Sequence, residues 1–286
     1  MTISAKIIAD SVGAAGVRLT TLQLRYPRFI HAEFMTHRVF SRNASSSRAI
    51  PVKRLIAEVE QDPVYPSSWG LNQRGMQAGG VLSENAEQAA RHTWDYARNT
   101  AIEAAESFYA QGLHKQIVNR ILEPFAHINV VVSATEWDNF FALRMHPDAQ
   151  PEIQELATRM HEAMEASTPQ LLESGVWHLP YILDVEHMFL DTANLIKISV
   201  ARCARVSYRA HDGAPSEPEK DLELYERLVG STPMHATPAE HQAMPDELVF
   251  TTSRIRPVWS NPMLHGNLRG WCQLRKGLEH SGTIPA

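Results

Sequence analysis

Apolar and polar positions alternate over VRLTTLQLR, residues 17 to 25, where Leu19, Leu22 and Leu24 are interrupted by polar side chains. That two-residue period, which residues 4 to 9 share, predicts a pair of β-strands. From Arg28 to about Phe40 the spacing turns helical, behind a Pro27 suited to a helix start. Residues 62 to 82 are rich in Pro, Gly, Ser and Gln and predict a long loop. Ser83 then stands as an N-cap, with Glu84 and Glu87 in the positive first turn. Ala86, Ala90, Trp94, Ala97, Ala101, Ala105 and Phe108 recur at three- and four-residue steps and carry that helix to Gly112, as a packing stripe. A shorter helix ends near Pro124, and INVVVSA (128 to 134) reads as a buried strand. Helices are predicted over 135 to 146, 149 to 166 and around 218 to 229, with an apolar segment through Val206. A strand near 247 to 252 and an amphipathic helix from about 262 to 279 complete the chain. Strands scattered irregularly among helices predict a mixed α/β or α+β fold, not a doubly wound sheet, and one domain over residues 1 to 286.

Composition narrows the function. The formal net charge of -5 and a pI near 6.3 argue against broad nucleic-acid binding, which needs a positive track for phosphates. Any anion must therefore be held by a local cluster. Only Cys203 and Cys272 are present, which excludes a disulfide framework and a cysteine-based zinc pattern and points to a reducing, cytoplasmic setting. No stretch reads as a signal sequence or membrane span. H-E-x-x-H, G-x-S-x-G, P-loop and G-x-G-x-x-G motifs are all missing, so zincin, serine hydrolase, P-loop and Rossmann readings lose support.

Two stretches carry chemistry. THRVFSRNASSSR, residues 36 to 48, reads as a loop that gathers three arginines, four serines and an asparagine, donors that match the oxygens of a phosphate or pyrophosphate. A solvated, serine-rich turn has the same composition. In FFALRMHPDAQPEI (140 to 153), a helix places Phe140, Phe141 and Arg144 on one face with Trp137. A guanidinium on an apolar stripe requires a partner: a ligand, an acidic side chain or a route outward to water. Asn139 points away from Arg144 on that helix, so the two serve different ligands. Among fourteen histidines, His211 beside Asp212, and His235 with His241, are the best candidates for a metal site.

Together the motifs resemble the flavin-dependent thymidylate synthase (ThyX) family. His37, Arg38, Ser41, Asn43, Ser46 and Arg48 stand in register with its signature R-H-R-x-x-S-x-N-x-x-S-x-R. NRILEP (119 to 124) is similar to A-R-x-x-L-P, and residues 139 to 153 to N-F-x-x-L-R-x-x-x-x-A-Q-x-E-I. CARVSY (203 to 208) resembles A-A-R-V-S-F and HATPAEH (235 to 241) resembles H-x-T-P-x-E-H, but the family carries both before its signature. A circular permutation accounts for the order. Thr36, Ala44, Glu33, Ser133 and Thr135 depart from the family pattern, and residues 52 to 112, 160 to 195 and the last thirty lie outside the resemblance.

The resemblance implies a largely antiparallel central sheet flanked by helices, with extra helical insertions, and a homotetramer with shared active sites. It implies methylation of dUMP to dTMP with FAD, methylenetetrahydrofolate and NADPH, and no cysteine nucleophile. His37, Arg38, Asn43, Ser207, Thr237 and Glu240, with Asn139 of the partner subunit, then contact flavin. Ser46, Arg48 and Arg120 hold the substrate phosphate, and Arg144 reaches the pyrimidine as the catalytic candidate. His235 lies where folate stacks, in binding or gating. Three rivals stand beside it: methylation or hydroxymethylation of another pyrimidine nucleotide such as dCMP, a metal-dependent phosphohydrolase on His211, Asp212, His235 and His241, and a flavin- or nucleotide-binding protein without turnover. Trp271 either packs or faces flavin.

Overall fold

The computed structural model describes residues 3–206, 217–229, 231, 234–249 and 257–281. A hairpin of β1 (Ser4–Gly13) and β2 (Arg18–Pro27) founds the central sheet, which runs β3 (Ser41–Ala44), β4 (His127–Ala134), β2, β1, β5 (Gln170–Leu172). Every pairing is antiparallel except β1 with β5. The hairpin reverses through Gly16 at φ 78°, a conformation that costs glycine nothing. A bulge lies between Ile7 and Ala9.

On one face Leu22, Leu24 and Tyr26 stand opposite Val132, Val130 and Ile128. They pack against α5 (Asp138–Arg144) and α6 (Pro151–Glu165) through Phe140, Ile153, Leu156 and Met160, all fully or almost fully buried. Each such side chain contributes about 1.5–3 kcal/mol relative to exposure. The other face receives α7 (Thr192–Ala204), whose Cys203 meets Val131 together with Tyr181 and Val206. Covered on both sides, β4 is buried along its whole length. That explains why Val130, Val131 and Val132 stand consecutively, without the alternation of a half-buried strand.

A second apolar cluster joins α2 (Val52–Gln61), α3 (Glu84–Ala110), α4 (Lys115–Val118) and a 3-10 segment over Asn119–Phe125. The predicted stripe on α3 packs in part. Ala105 is buried and Trp94, Ala101 and Phe108 half-buried, but Ala97 is exposed. Residues 62–82 form the long loop expected, apart from one isolated bridge between Gly70 and Val81. On the remaining part, α8 (Pro218–Val229) packs on α7. Short pairs β6 (Ala243–Pro245) with β9 (Trp271–Gln273), and β7 (Leu248–Val249) with β8 (Val258–Trp259), precede α9 (Leu274–His280).

Three expectations are corrected. Residues 28–40 do not form one helix: a 3-10 turn and α1 (His31–Phe34) end early, because Thr36 Oγ1 donates to the Glu33 carbonyl and Arg42 to the Met35 and His37 carbonyls. The stretch 36–48 is not all loop, since Ser41–Ala44 adds an edge strand to β4. The final helix from 262 is broken by Gly266 and Gly270, both at positive φ, so Trp271 is a fully buried strand residue. Its indole donates to the Val17 carbonyl, which settles Trp271 as packing.

Candidate functional site

The stretch 36–48 runs along the outer edge of β4, to which it adds β3, and each part of it is held by a different element. At its start, Arg144 at the end of α5 donates from Nε to His37 Nε2 at 3.0 Å and from NH2 to Thr36 Oγ1 at 3.2 Å. An arginine only donates, so His37 accepts at Nε2 and carries its single proton on Nδ1. Burial, then Arg144 and Arg42, hold the His37 pKa below the ordinary histidine value, which keeps the ring neutral. The ring stacks on Phe40 and meets Phe140 edge-on. Arg144 is thus half-buried with neutral acceptors as its partners.

In the middle, Asn43 donates to the Cys203 carbonyl at 3.5 Å, and Ser41 Oγ donates to Asn267 at 3.1 Å. Gln273 ties Ser41, Asn267 and the Glu240 carbonyl together. The CARVSY and HATPAEH segments, distant in sequence, therefore both meet the signature strand. Glu240 itself pairs with Arg275. At the far end, Ser47 Oγ donates to Glu123 Oε1 at 2.6 Å, and the same carboxylate pairs with Arg28 at 3.1 Å and Arg120 at 3.0 Å. Arg120 and the serine run are joined through Glu123, a residue the motif reading did not single out. Its signal was its place three residues after Arg120, the spacing of a helical ion pair.

The three arginines of the stretch divide their tasks. Arg42 is half-buried and spent on backbone carbonyls, a structural role. Arg38 and Arg48 are exposed. Ser46 is half-buried. Asn139 is exposed and lines, with His37, Trp137, Phe141 and His161, a cavity of about 590 Å³. Arg144 does not line it. Thr237 and His235 are exposed; Ser207, His211 and Asp212 lie outside the described residues.

Of the departures, Thr36 touches Arg144. Ser133 lies inside, bonded to Thr21 and to His241 Nδ1 at 2.9 Å. Thr21 in turn meets His178, which meets Ser11, so a buried polar chain crosses the sheet. Burial pushes the pKa of both His178 and His241 down to about 3. His241 is thereby a neutral interior group while His235 is at the surface, so the proposed metal pair does not share a site. Among the described residues no three His, Cys, Asp or Glu side chains gather as a metal site. Among them, too, no helix is long and apolar enough to cross a membrane.

The family model described as thymidylate synthase complementing protein matches residues 18–170, just over half the chain. The chain belongs to this family. The match of the thymidylate synthase complementing protein contains the signature, Arg120 and Arg144, and leaves the 203–208 and 235–241 segments outside. The non-reducing polyketide synthase pkiA of Emericella nidulans is 28% identical over 144 residues, 42% of this chain. The chain spans 6% of the length of that curated relative. Among solved structures, the UMP/dUMP methylase PolB of Streptomyces cacaoi bound with 5-Br UMP is 19% identical at a TM-score of 0.49, covering 57% of this chain and 88% of PolB. The same methylase with 5-Br dUMP gives 19% and 0.48, over 57% and 90%.

Proposed function

We propose that this chain is a single-domain, flavin-dependent methyltransferase that methylates carbon 5 of dUMP, its segments permuted relative to its family. The observation that carries the reading is that four separated motif segments meet one thirteen-residue stretch: Arg144 at its start, Cys203 and Glu240 at β3, and Arg120 through Glu123 at its end. A rewired chain that kept its site would have this property.

In this reading Ser46, Arg48 and Arg120 hold the nucleotide phosphate, and Arg144 presents fixed positive charge where negative charge develops on the ring. His37, Arg38, Asn43, Thr237, Glu240 and Ser207 hold the flavin nucleotide with Asn139 of the partner subunit, in a homotetramer, and His235 binds or gates folate. The donor set fits such a group: Arg38 is exposed and Asn43, five residues on, is half-buried, so a guanidinium and an amide stand in one short stretch. FAD, when bound, supplies the hydride that turns a methylene from methylenetetrahydrofolate into methyl, with NADPH as the reductant. Both cysteines are buried and the Cys272 thiol is pushed up to about 11, so neither offers a thiolate nucleophile.

Thr36 favours a second reading, the same chemistry on another pyrimidine such as dCMP, because this departure touches the arginine assigned to the ring. The test is the mass of the product. Purified protein is loaded with FAD and given methylenetetrahydrofolate, NADPH and, in turn, dUMP, UMP and dCMP. A gain of one CH₂ on dUMP supports the first reading and modification of dCMP alone the second. A protein that takes up no FAD refutes both.

A further inference from the structure

We infer that Thr36 is the positioning residue for Arg144: together with His37 it fixes one edge of the guanidinium and leaves the other edge for a ligand. The identity of that ligand, though not the positioning, rests on the reading above.

A guanidinium is a flat fork with five N–H donors, of which Nε and NH2 form one edge. Here that edge meets two acceptors, His37 Nε2 at 3.0 Å and Thr36 Oγ1 at 3.2 Å. Neither acceptor has freedom to do otherwise. The Thr36 hydroxyl proton is committed to the Glu33 carbonyl at 2.7 Å, so its oxygen faces Arg144 as an acceptor. The Thr36 amide also donates to Glu33, and Arg42 grips the carbonyls on either side of Thr36, those of Met35 and His37. The turn is therefore set before Arg144 arrives. On the helix side, Phe140 of α5 packs its edge against the His37 ring at 4.9 Å between centroids, which couples the ring to the element that carries Arg144.

With Nε and one NH2 proton engaged, the NH1 side is the remaining fork, matched to a ligand with two neighbouring oxygen acceptors. Holding the guanidinium in one orientation removes rotamer freedom that binding would otherwise have to remove. The motif resembled by this stretch has arginine where Thr36 stands. A second guanidinium there offers no acceptor and places like charge beside Arg144, so the departure is matched to the arrangement seen.

The test compares full-length Thr36→Val, which keeps the shape and loses the acceptor, with Thr36→Ser, which keeps the acceptor, and Arg144→Ala. Two readouts are taken: ¹⁵N resonances of the arginine Nε and His37 ring nitrogens in ligand-free protein, and the Kd for dUMP. The expected result is an Nδ1–H tautomer for His37, an Arg144 Nε resonance that moves in Thr36→Val and returns in Thr36→Ser, and a Kd about tenfold weaker in Thr36→Val alone of the two, as one charge-assisted bond implies. An unmoved Arg144 resonance with wild-type dUMP affinity in Thr36→Val overturns the inference. A moved resonance, combined with dUMP binding that Arg144→Ala does not weaken, upholds the positioning and removes the nucleotide reading.

Discussion

Ser47 donates to the Glu123 carboxylate at 2.6 Å, and through that one oxygen the serine run is joined to Arg28 and Arg120 on separate segments. A carboxylate among candidate phosphate ligands has a structural purpose here: it balances two guanidiniums when no anion is bound and holds the loop in place. Glu123→Gln keeps the shape and removes the charge. Because Arg120 is half-exposed, the loss is modest, about 1 kcal/mol of stability by urea denaturation. Under the proposed function the same variant binds dUMP no more weakly than wild type, because Arg120, one of the phosphate ligands, is freed from its carboxylate partner.

Arg48→Ala and Arg120→Ala each remove a charge-assisted bond to the nucleotide phosphate in the proposed site. Each should weaken dUMP about ten- to a hundredfold in a titration, as a loss of roughly 1.5–3 kcal/mol implies. Exposed Arg48 should leave the urea midpoint of the free protein unchanged, which separates binding from folding.

Arg202 is fully buried and bonded to Glu186, Asp221 and the Tyr181 carbonyl, locking α7 to α8 and to the 3-10 turn at Asp184–Met188. Arg202→Met removes the buried cation that Glu186 and Asp221 share, and Arg205, 3.4 Å from Asp221, does not replace it at Glu186. A loss of about 3–5 kcal/mol is expected in denaturation experiments. Arg202→Lys should recover little of it, because an ammonium cannot span the same fork.

Acid should destabilise the protein well before its carboxylates titrate. His178 and His241 have pKa values near 3 in the fold, both through burial, against an ordinary 6.5. The unfolded chain therefore binds these protons first as pH falls. Stability is complete above about pH 6.5 and declines from there down to about pH 3, at up to roughly 1.4 kcal/mol per pH unit for each histidine. His31 and His127, near 4, act in the same direction. Urea midpoints measured from pH 7.5 to 4.5 should fall in wild type and fall less steeply in His178→Gln. A flat profile would show that these rings are not buried neutral.

Legibility followed range. The alternation around Leu22 and Leu24, the apolar run within β4 and the three- and four-residue steps of α3 are local patterns, and the elements formed where they stood. The end of α1 was not legible, because it depends on the Thr36 hydroxyl competing for a helix carbonyl and on Arg42 taking two more. The break before Trp271 had a visible signal in Gly266 and Gly270, outweighed by the amphipathic pattern around them. The buried chain from Ser11 through His178 to His241 had none, since its members are far apart in sequence.

By itself the sequence determined which chemistry is available: the donors of residues 36–48, an arginine on an apolar helix face and two cysteines in no activating context. Only the tertiary structure decided how those groups are used. It spends Arg42 on backbone, leaves Arg38 and Arg48 exposed, joins Arg120 to the serines through Glu123 and turns His37 into the acceptor for Arg144. The reason is physical: side-chain identity sets what a group can donate or accept, whereas burial and partners brought from distant segments decide which of those bonds is made.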